Sequence, residues 1–213
     1  MKKLKIHYET QIQQVGESLL QFPWGDQDAY ANWLSQTYHF ANATTRLLCL
    51  VAALVPYTEQ EMHHRFIDHA KEERSHEKLI IQDLKHANLA AVRPATAITQ
   101  AFYQSQYFWI QNQSPLSFFG YVLMLEGIAA QFGMQVYALA KASFGEKACS
   151  FLRVHAIEDQ DHIAKAFMSL DKISTDVEQK IIENFDFSAG LYQLLLEEAG
   201  KNSKFKKTHT QAA

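Results

Sequence analysis

The sequence of 213 residues predicts an all-α, single-domain protein of about seven helices, with a core over about residues 26–198. Three observations lead to this prediction. Apolar residues recur at helical spacing through long stretches of the chain. Only 4 Pro and 8 Gly are present to interrupt them. No stretch alternates apolar and polar residues between turn residues, which is the pattern typical of strands.

Capping residues and prolines divide the sequence into the predicted helices. Asp26 is placed to cap a helix over residues 27–54, which ends before Pro56. Thr58 and Glu61 have the spacing of a capping box and predict the start of a helix, or a pair of helices, that reaches Leu84. Further helices are predicted over residues 95–111, from Ser114 and Pro115 to Gly145, over residues 146–168, and from Thr175 to Gly200.

The composition argues against several classes of partner. Twenty Lys and Arg stand against 23 Asp and Glu, a formal net charge of −3, so nucleic acid is not expected as a partner. The basic start of the chain lacks the apolar stretch of a signal peptide, and the apolar residues 47–55 are too few to span a membrane. Two cysteines, Cys49 and Cys149, make no disulfide framework and favour a reducing cytoplasm. Residues 201–213 are expected to form a flexible basic tail.

One motif occurs twice in the sequence. Each copy places a histidine, a carboxylate and a histidine at positions i, i+4 and i+7, which share one face of a helix. Imidazole and carboxylate together suit divalent iron or manganese. The second copy follows the first by 86 residues, from 69 to 155, at all three positions. The copies are His69, Glu73 and His76, and His155, Asp159 and His162.

A further acidic residue, Glu126, lies in a strongly apolar run over residues 121–130. An isolated carboxylate is costly to bury unless it is paired or bound to a metal. A di-iron helix bundle takes a carboxylate from each of two helices and a carboxylate–histidine pair from each of two others. Glu126 precedes Asp159 by 33 residues, and the corresponding place, 34 residues before Glu73, holds His39. The site containing His39 is therefore predicted to bind its metal more weakly.

The sequence resembles a known family in these same regions. The segment FIDHAKEERSHEKLIIQDL, residues 66–84, is similar to the second core helix of the haem-oxygenase-like di-iron oxidases and oxygenases, also described as iron-containing redox enzymes. Residues 38–40 and 44–50 resemble the first core helix of that family. Glu126 and the segment HAIEDQDH, residues 155–162, resemble its later ligand helices. The resemblance implies a seven-helix haem-oxygenase-like fold without haem.

The resemblance also implies a di-iron site and a reaction. Two iron ions would be held and used with O2 to oxidise or oxygenate a small organic substrate. His39 departs from the family pattern, because many members carry Glu at this position. His69 is expected either to bind the metal in its place or to contact a residue that does. The sequence does not determine the oligomeric state, and a homodimer is one of the alternatives. The implied ligands are Glu73, His76, Glu126, His155, Asp159 and His162.

Two other kinds of protein remain as alternatives. One is a metal-free enzyme of the same fold, similar to the thiaminases or the quinone-cofactor synthases, against which the paired motifs count. Thiaminase-type relatives use a cysteine nucleophile, which makes Cys149 the residue to examine, whereas Cys49 is expected to be buried and inert. The other is a helical protein that binds metal or a partner without catalysis.

Overall fold

The computed structural model describes residues 2–171 and 173–201, without the side chains of residues 160 and 161. This part of the chain contains eight α-helices and no strand, so the all-α prediction is confirmed. The predicted tail, apart from Lys201, lies outside the described residues. The helices are α1 (Lys2–Gln21), α2 (Gln27–Leu54), α3 (Gln60–Glu72), α4 (His76–His86), α5 (Ala97–Phe108), α6 (Phe119–Phe144), α7 (Ser150–Ser169) and α8 (Thr175–Ala199).

Helix boundaries follow the local capping chemistry. The Asp26 side chain accepts hydrogen bonds from two backbone N–H groups at 3.0 Å, and α2 has the predicted bounds. Two predicted caps are wrong by one residue. Helix α3 begins after Glu59, which makes no side-chain cap, because Thr58 still belongs to the preceding turn. Helix α8 is capped by Ser174, whose backbone is extended and whose hydroxyl accepts from Val177, whereas Thr175 is already helical.

Helix α1 was not predicted, and the core begins well before residue 26. One face of α1 is buried against α6 and α8, with its residues three and four positions apart. That spacing indicates a helix in the sequence, although no capping residue marks where the helix begins. The buried side chains of this face are Leu4, Tyr8, Ile12, Val15 and Leu19.

Helix α6 is the central element that positions the site. With the short turn before it, it is long and apolar enough to cross a membrane, but 78% of its most apolar stretch is buried inside the protein, as in a core helix. Gly133 brings α6 close to α7, because a side-chain carbon there would lie 2.8 Å from Cβ of Ala156. This close approach places Glu126, on α6, beside the ligand residues of α7.

Candidate metal centre

The predicted ligand residues converge from three parts of the fold. The junction between α3 and α4 contributes three of them, α6 contributes one and α7 contributes three. Their nitrogen and oxygen atoms form three overlapping groups, in each of which all ligand atoms lie within 4.8 Å of one another. The groups are Glu73, His76 and His155; Glu126, Asp159 and His162; and His69, Glu73 and His162.

The two copies of the motif differ in backbone. The α7 copy lies in one continuous helix, as predicted, whereas the first copy is interrupted between Glu73, at the end of α3, and His76, the first residue of α4. Ser75 between them has φ of 80°, a left-handed conformation that costs a residue other than glycine roughly 1–2 kcal/mol. His76 is therefore directed by this turn, not by a shared helix face.

The first metal-ligand group joins the α3–α4 junction to α7. The Glu73 carboxylate lies 3.3 Å from Nδ1 of His76 and 3.9 Å from Nε2 of His155. The other ring nitrogen of His155 lies 2.9 Å from the Phe151 carbonyl, which can only accept a hydrogen bond. Nδ1 of His155 therefore carries the hydrogen, and the lone pair of its Nε2 faces the cluster when the ring is neutral.

The second group joins α6 to α7. Nδ1 of His162 lies 3.3 Å from the Asp159 carboxylate and 3.4 Å from the Glu126 carboxylate. On the opposite side of the ring, Nε2 of His162 lies 3.4 Å from the half-exposed carboxylate of Glu72. This outer contact orients the imidazole, so that its Nδ1 faces the two buried carboxylates.

His69 lies between the two groups. Its Nε2 is 2.9 Å from Glu126 and 3.6 Å from Glu73, so it contacts one carboxylate from each group. The sequence left its role open between a ligand and a partner of a ligand. Both roles fit this position, because a neutral His69 can offer a lone pair, and a protonated one can neutralise the carboxylates.

His39 does not reach the cluster, contrary to the prediction. Its Nε2 bonds to the backbone carbonyl of Arg93 at 2.8 Å. Other residues of α2 line the site instead. They include Thr37, Phe40 and Thr44, which lie on a neighbouring face of the helix. His155 supplies the donor that the sequence assigned to His39, because α7 crosses the α3–α4 junction.

Burial and charged neighbours shift the pKa values of three histidines and three carboxylates in the cluster. Burial lowers the pKa of His69 and His155, but neighbouring carboxylates outweigh it and raise both to about 9. Contacts with the carboxylates of Asp159 and Glu126 raise the pKa of His162 to about 10. Burial opposes ionisation of Glu73, yet contacts with three histidines hold its pKa well below the usual value.

The two remaining carboxylates of the cluster differ from each other. Burial raises the pKa of Glu126, but His69 and His162 reverse the effect and lower it. Burial raises the pKa of Asp159 to about 6, because the nearby carboxylates partly cancel its contacts with histidine. Near pH 7, protons on the histidines therefore hold the positive charge that balances the three carboxylates.

A cavity of about 110 Å³ adjoins the cluster. Its walls are mostly apolar and come from α1, α2, α6, α7 and α8. Two buried hydroxyls in these walls, on Tyr121 and Thr37, make no hydrogen bond. Neither hydroxyl belongs to a motif that the sequence could reveal. Glu72, which contacts His162 from outside the cluster, has one signal in the sequence, because it directly precedes a ligand residue.

Neither cysteine belongs to the candidate site. Cys149 is buried just before α7, with the Tyr30 hydroxyl 3.5 Å from its Sγ, and it does not line the cavity. Burial raises the pKa of its thiol, which disfavours the nucleophilic thiolate. Cys49 is exposed, contrary to the prediction that it would be buried, because it falls on the outward face of α2.

The overall architecture matches solved proteins of one fold. A domain of unknown function with a haem oxygenase-like fold from Shewanella denitrificans superimposes with a TM-score of 0.78 at 15% identity, over 99% of this chain and 94% of that one. A TenA homologue from Pseudomonas syringae gives 0.77 at 13% identity, over 93% and 91%. A TenA homologue from P. horikoshii gives 0.75 at 13%, over 94% and 97%. The chain therefore has the haem-oxygenase-like fold that the sequence implied.

The family assignment is more specific than the fold. The sequence profile of the iron-containing redox enzymes matches residues 31–193. The chain therefore belongs to the family of iron-containing redox enzymes with a haem-oxygenase-like fold. No curated protein matches it.

Proposed function

We propose that this protein is a non-haem di-iron oxidoreductase that uses O2 to oxidise or oxygenate a small organic substrate. One observation carries the proposal: a single buried cluster contains two separate triads of ligand atoms, each with at least one carboxylate. Imidazole and carboxylate donors suit ferrous iron, and manganese to a similar degree. The family of iron-containing redox enzymes agrees with the choice of iron.

The unpaired polar atoms of the cluster support the presence of metal. Five of the nine buried side-chain nitrogen and oxygen atoms without a hydrogen bond, among the described residues, belong to four residues of the two triads. Both oxygens of Glu126 are among them, although one contacts His69 at 2.9 Å. Four of the five atoms face an oppositely charged side chain at 2.9–3.4 Å, but without the geometry of a hydrogen bond, so a metal ion would satisfy them better. The other three of these four residues are His76, Asp159 and His162. Such a concentration of polar atoms without hydrogen bonds in one place is expected of metal ligands.

Each residue of the cluster has a definable role. Glu73 belongs to the first triad and also forms a group with His69 and His162, so it lies between the two triads. Glu126 and Asp159 give the second triad two negative charges, and the first triad has one. Bound iron would supply the electrons that reduce O2, and the apolar cavity would hold the substrate beside it and exclude water.

The thiaminase-like alternative is less well supported. It needs a reactive cysteine, and Cys149 is buried beside Tyr30 and outside the cavity wall. The unpaired cysteines are in keeping with a reducing cytoplasm, where we infer that the reaction takes place.

A protein that only binds metal has the same ligands, so the experiment must measure turnover of O2 as well as binding.

The test begins with protein freed of metal and titrated anaerobically with ferrous iron. We expect two ions per chain, followed by O2 consumption on mixing with aerated buffer. Glu73→Ala and His162→Ala should each abolish rapid O2 consumption, because each removes a donor from the cluster. Unchanged consumption in both variants would refute the assigned site. Binding of two ions without consumption would reduce the protein to a metal binder.

A matched control is available on α3. His64 is exposed on the same helix as His69 and takes no part in the three ligand groups. His64→Ala should therefore bind two ions and consume O2 like the wild type. Loss of iron in this control would show that histidine removal acts through the stability of α3 and not through the loss of a ligand.

A further inference from the structure

The cavity beside the cluster has an unusual distribution of polar groups. Apart from the ligand residues, none of the described residues that line it has a charged side chain. A charged group bound against these walls would lose its hydration without gaining a counter-ion, which disfavours its binding. The volume of about 110 Å³ is close to that of engineered cavities, about 150 Å³, that bind benzene. A ligand of similar size, without charge, fits these walls.

Two hydroxyls break the apolar lining and have no partner. The Tyr121 hydroxyl, on α6, is buried without a hydrogen bond, and the side chain is 1% exposed. A buried hydroxyl left in this state destabilises a protein, because it has lost its hydrogen bonds to water and gained none in return. Tyr192, in the same cavity wall, differs because its hydroxyl accepts a hydrogen bond from Trp33. Burial and the nearby Glu73 raise the pKa of Tyr121 well above its usual value, so it keeps its proton.

Thr37 provides the second hydroxyl, from α2. A serine or threonine inside a helix usually donates to the carbonyl four residues earlier. On the same helix Ser35 donates to Ala31 at 2.7 Å and Thr44 donates to Phe40 at 3.1 Å. Thr37 makes no such bond, although it is 1% exposed and lines the cavity. Its hydroxyl is therefore free for a molecule in the cavity.

We propose that the cavity binds a small neutral molecule with an apolar body and one hydrogen-bond-accepting oxygen, which accepts from Tyr121 and has Thr37 as a second polar neighbour. The apolar body lies along the walls, and the oxygen fixes its orientation relative to the cluster. The role of this molecule as a substrate rests on the proposed function, whereas its binding does not.

The test uses an isosteric pair of probes, cyclohexanone and methylenecyclohexane. They differ only in the exchange of a carbonyl oxygen for a CH2 group. Transfer from water favours the hydrocarbon in any apolar cavity, so the informative quantity is the ratio of the two dissociation constants, hydrocarbon over ketone. We expect this ratio to fall about tenfold in Tyr121→Phe, because the ketone loses its donor. Thr37→Val, of similar shape, should lower it about threefold.

Tyr192→Phe is the matched control, since it removes a hydroxyl that already has a partner. Its ratio should stay within about twofold of the wild type. The dissociation constants are measured by NMR titration of the full-length protein under nitrogen, which reports binding without turnover. An unchanged ratio in both Tyr121→Phe and Thr37→Val would overturn the proposal, as would failure of both probes to bind.

A third probe, cyclohexanecarboxylate, tests the requirement for neutrality. Binding tighter than that of cyclohexanone would overturn it. The ratio of dissociation constants and the O2 measurement test the two proposals independently of each other. Discrimination between the probes without O2 consumption contradicts the di-iron function alone, and O2 consumption without discrimination contradicts the cavity ligand alone.

Discussion

Iron affinity is predicted to rise steeply with pH. His155, in the first triad, and His162, in the second, have pKa values raised to about 9 and about 10. Between pH 7 and 8.5 both are therefore mainly protonated, and Asp159, with a pKa of about 6, is mainly ionised. A metal ion needs the lone pair that the proton occupies, so each ion displaces one proton. The association constant of each ion should then increase about tenfold per pH unit over this range.

The displaced protons can be counted directly. Anaerobic calorimetric titrations with ferrous iron, in two buffers of different ionisation enthalpy, measure the number released per ion. Two protons for two ions are expected if His69 stays protonated beside Glu126. His69 also has a pKa raised to about 9, so three protons for two ions would show that it gives up its proton and acts as a ligand.

Two results would refute this reasoning. Iron affinity that does not change between pH 7 and 8.5 would show that neither His155 nor His162 binds the metal. A His155→Ala variant that still releases the wild-type number of protons would show that the proton comes from elsewhere. His64→Ala is the control, because this exposed residue has no part in the cluster and should leave the count unchanged.

Three further predictions concern the surroundings of the cluster. His39→Ala should keep two iron ions per chain and lose about 1 kcal/mol of stability in urea denaturation, because its ring bonds only to a backbone carbonyl; loss of an ion would restore His39 as a ligand. Asp83→Asn should lower the free energy of unfolding by about 2 kcal/mol and weaken iron binding, since the buried Asp83 carboxylate accepts from two backbone N–H groups at the start of α7; unchanged iron affinity would show that this cap does not position the ligands. Ser75→Gly should raise the unfolding free energy by about 1 kcal/mol in the same assay, because glycine adopts φ of 80° without strain; a destabilised variant would contradict that reason.

The sequence was sufficient to identify most of the candidate ligands, because the spacing of residues along a helix determines the face on which each side chain lies. Histidine and carboxylate at i, i+4 and i+7 in α7 share one face of that helix whatever surrounds it. The repeat of the motif and the isolated Glu126 in an apolar run then indicated which helices face each other. Local chemistry also determined the bounds of α2, through the Asp26 cap and Pro56.

Tertiary packing decided the membership of each triad. The 86-residue register suggested two equivalent halves, with His39 in the place of Glu126. Instead, α7 crosses the α3–α4 junction and brings His155 to Glu73 and His76. Residues far apart in the sequence are involved, and their distance depends on helix packing, which no spacing within one helix encodes.

The sequence by itself determined that the protein is an all-α bundle, and it identified the imidazole and carboxylate side chains of the candidate site in two motifs. The tertiary structure alone decided that His39 faces a backbone carbonyl and that His69 lies between two carboxylates. It also decided that the Tyr121 hydroxyl is buried without a partner. Helical periodicity gives the face on which a residue lies, but the neighbours on that face depend on how the other helices cross it.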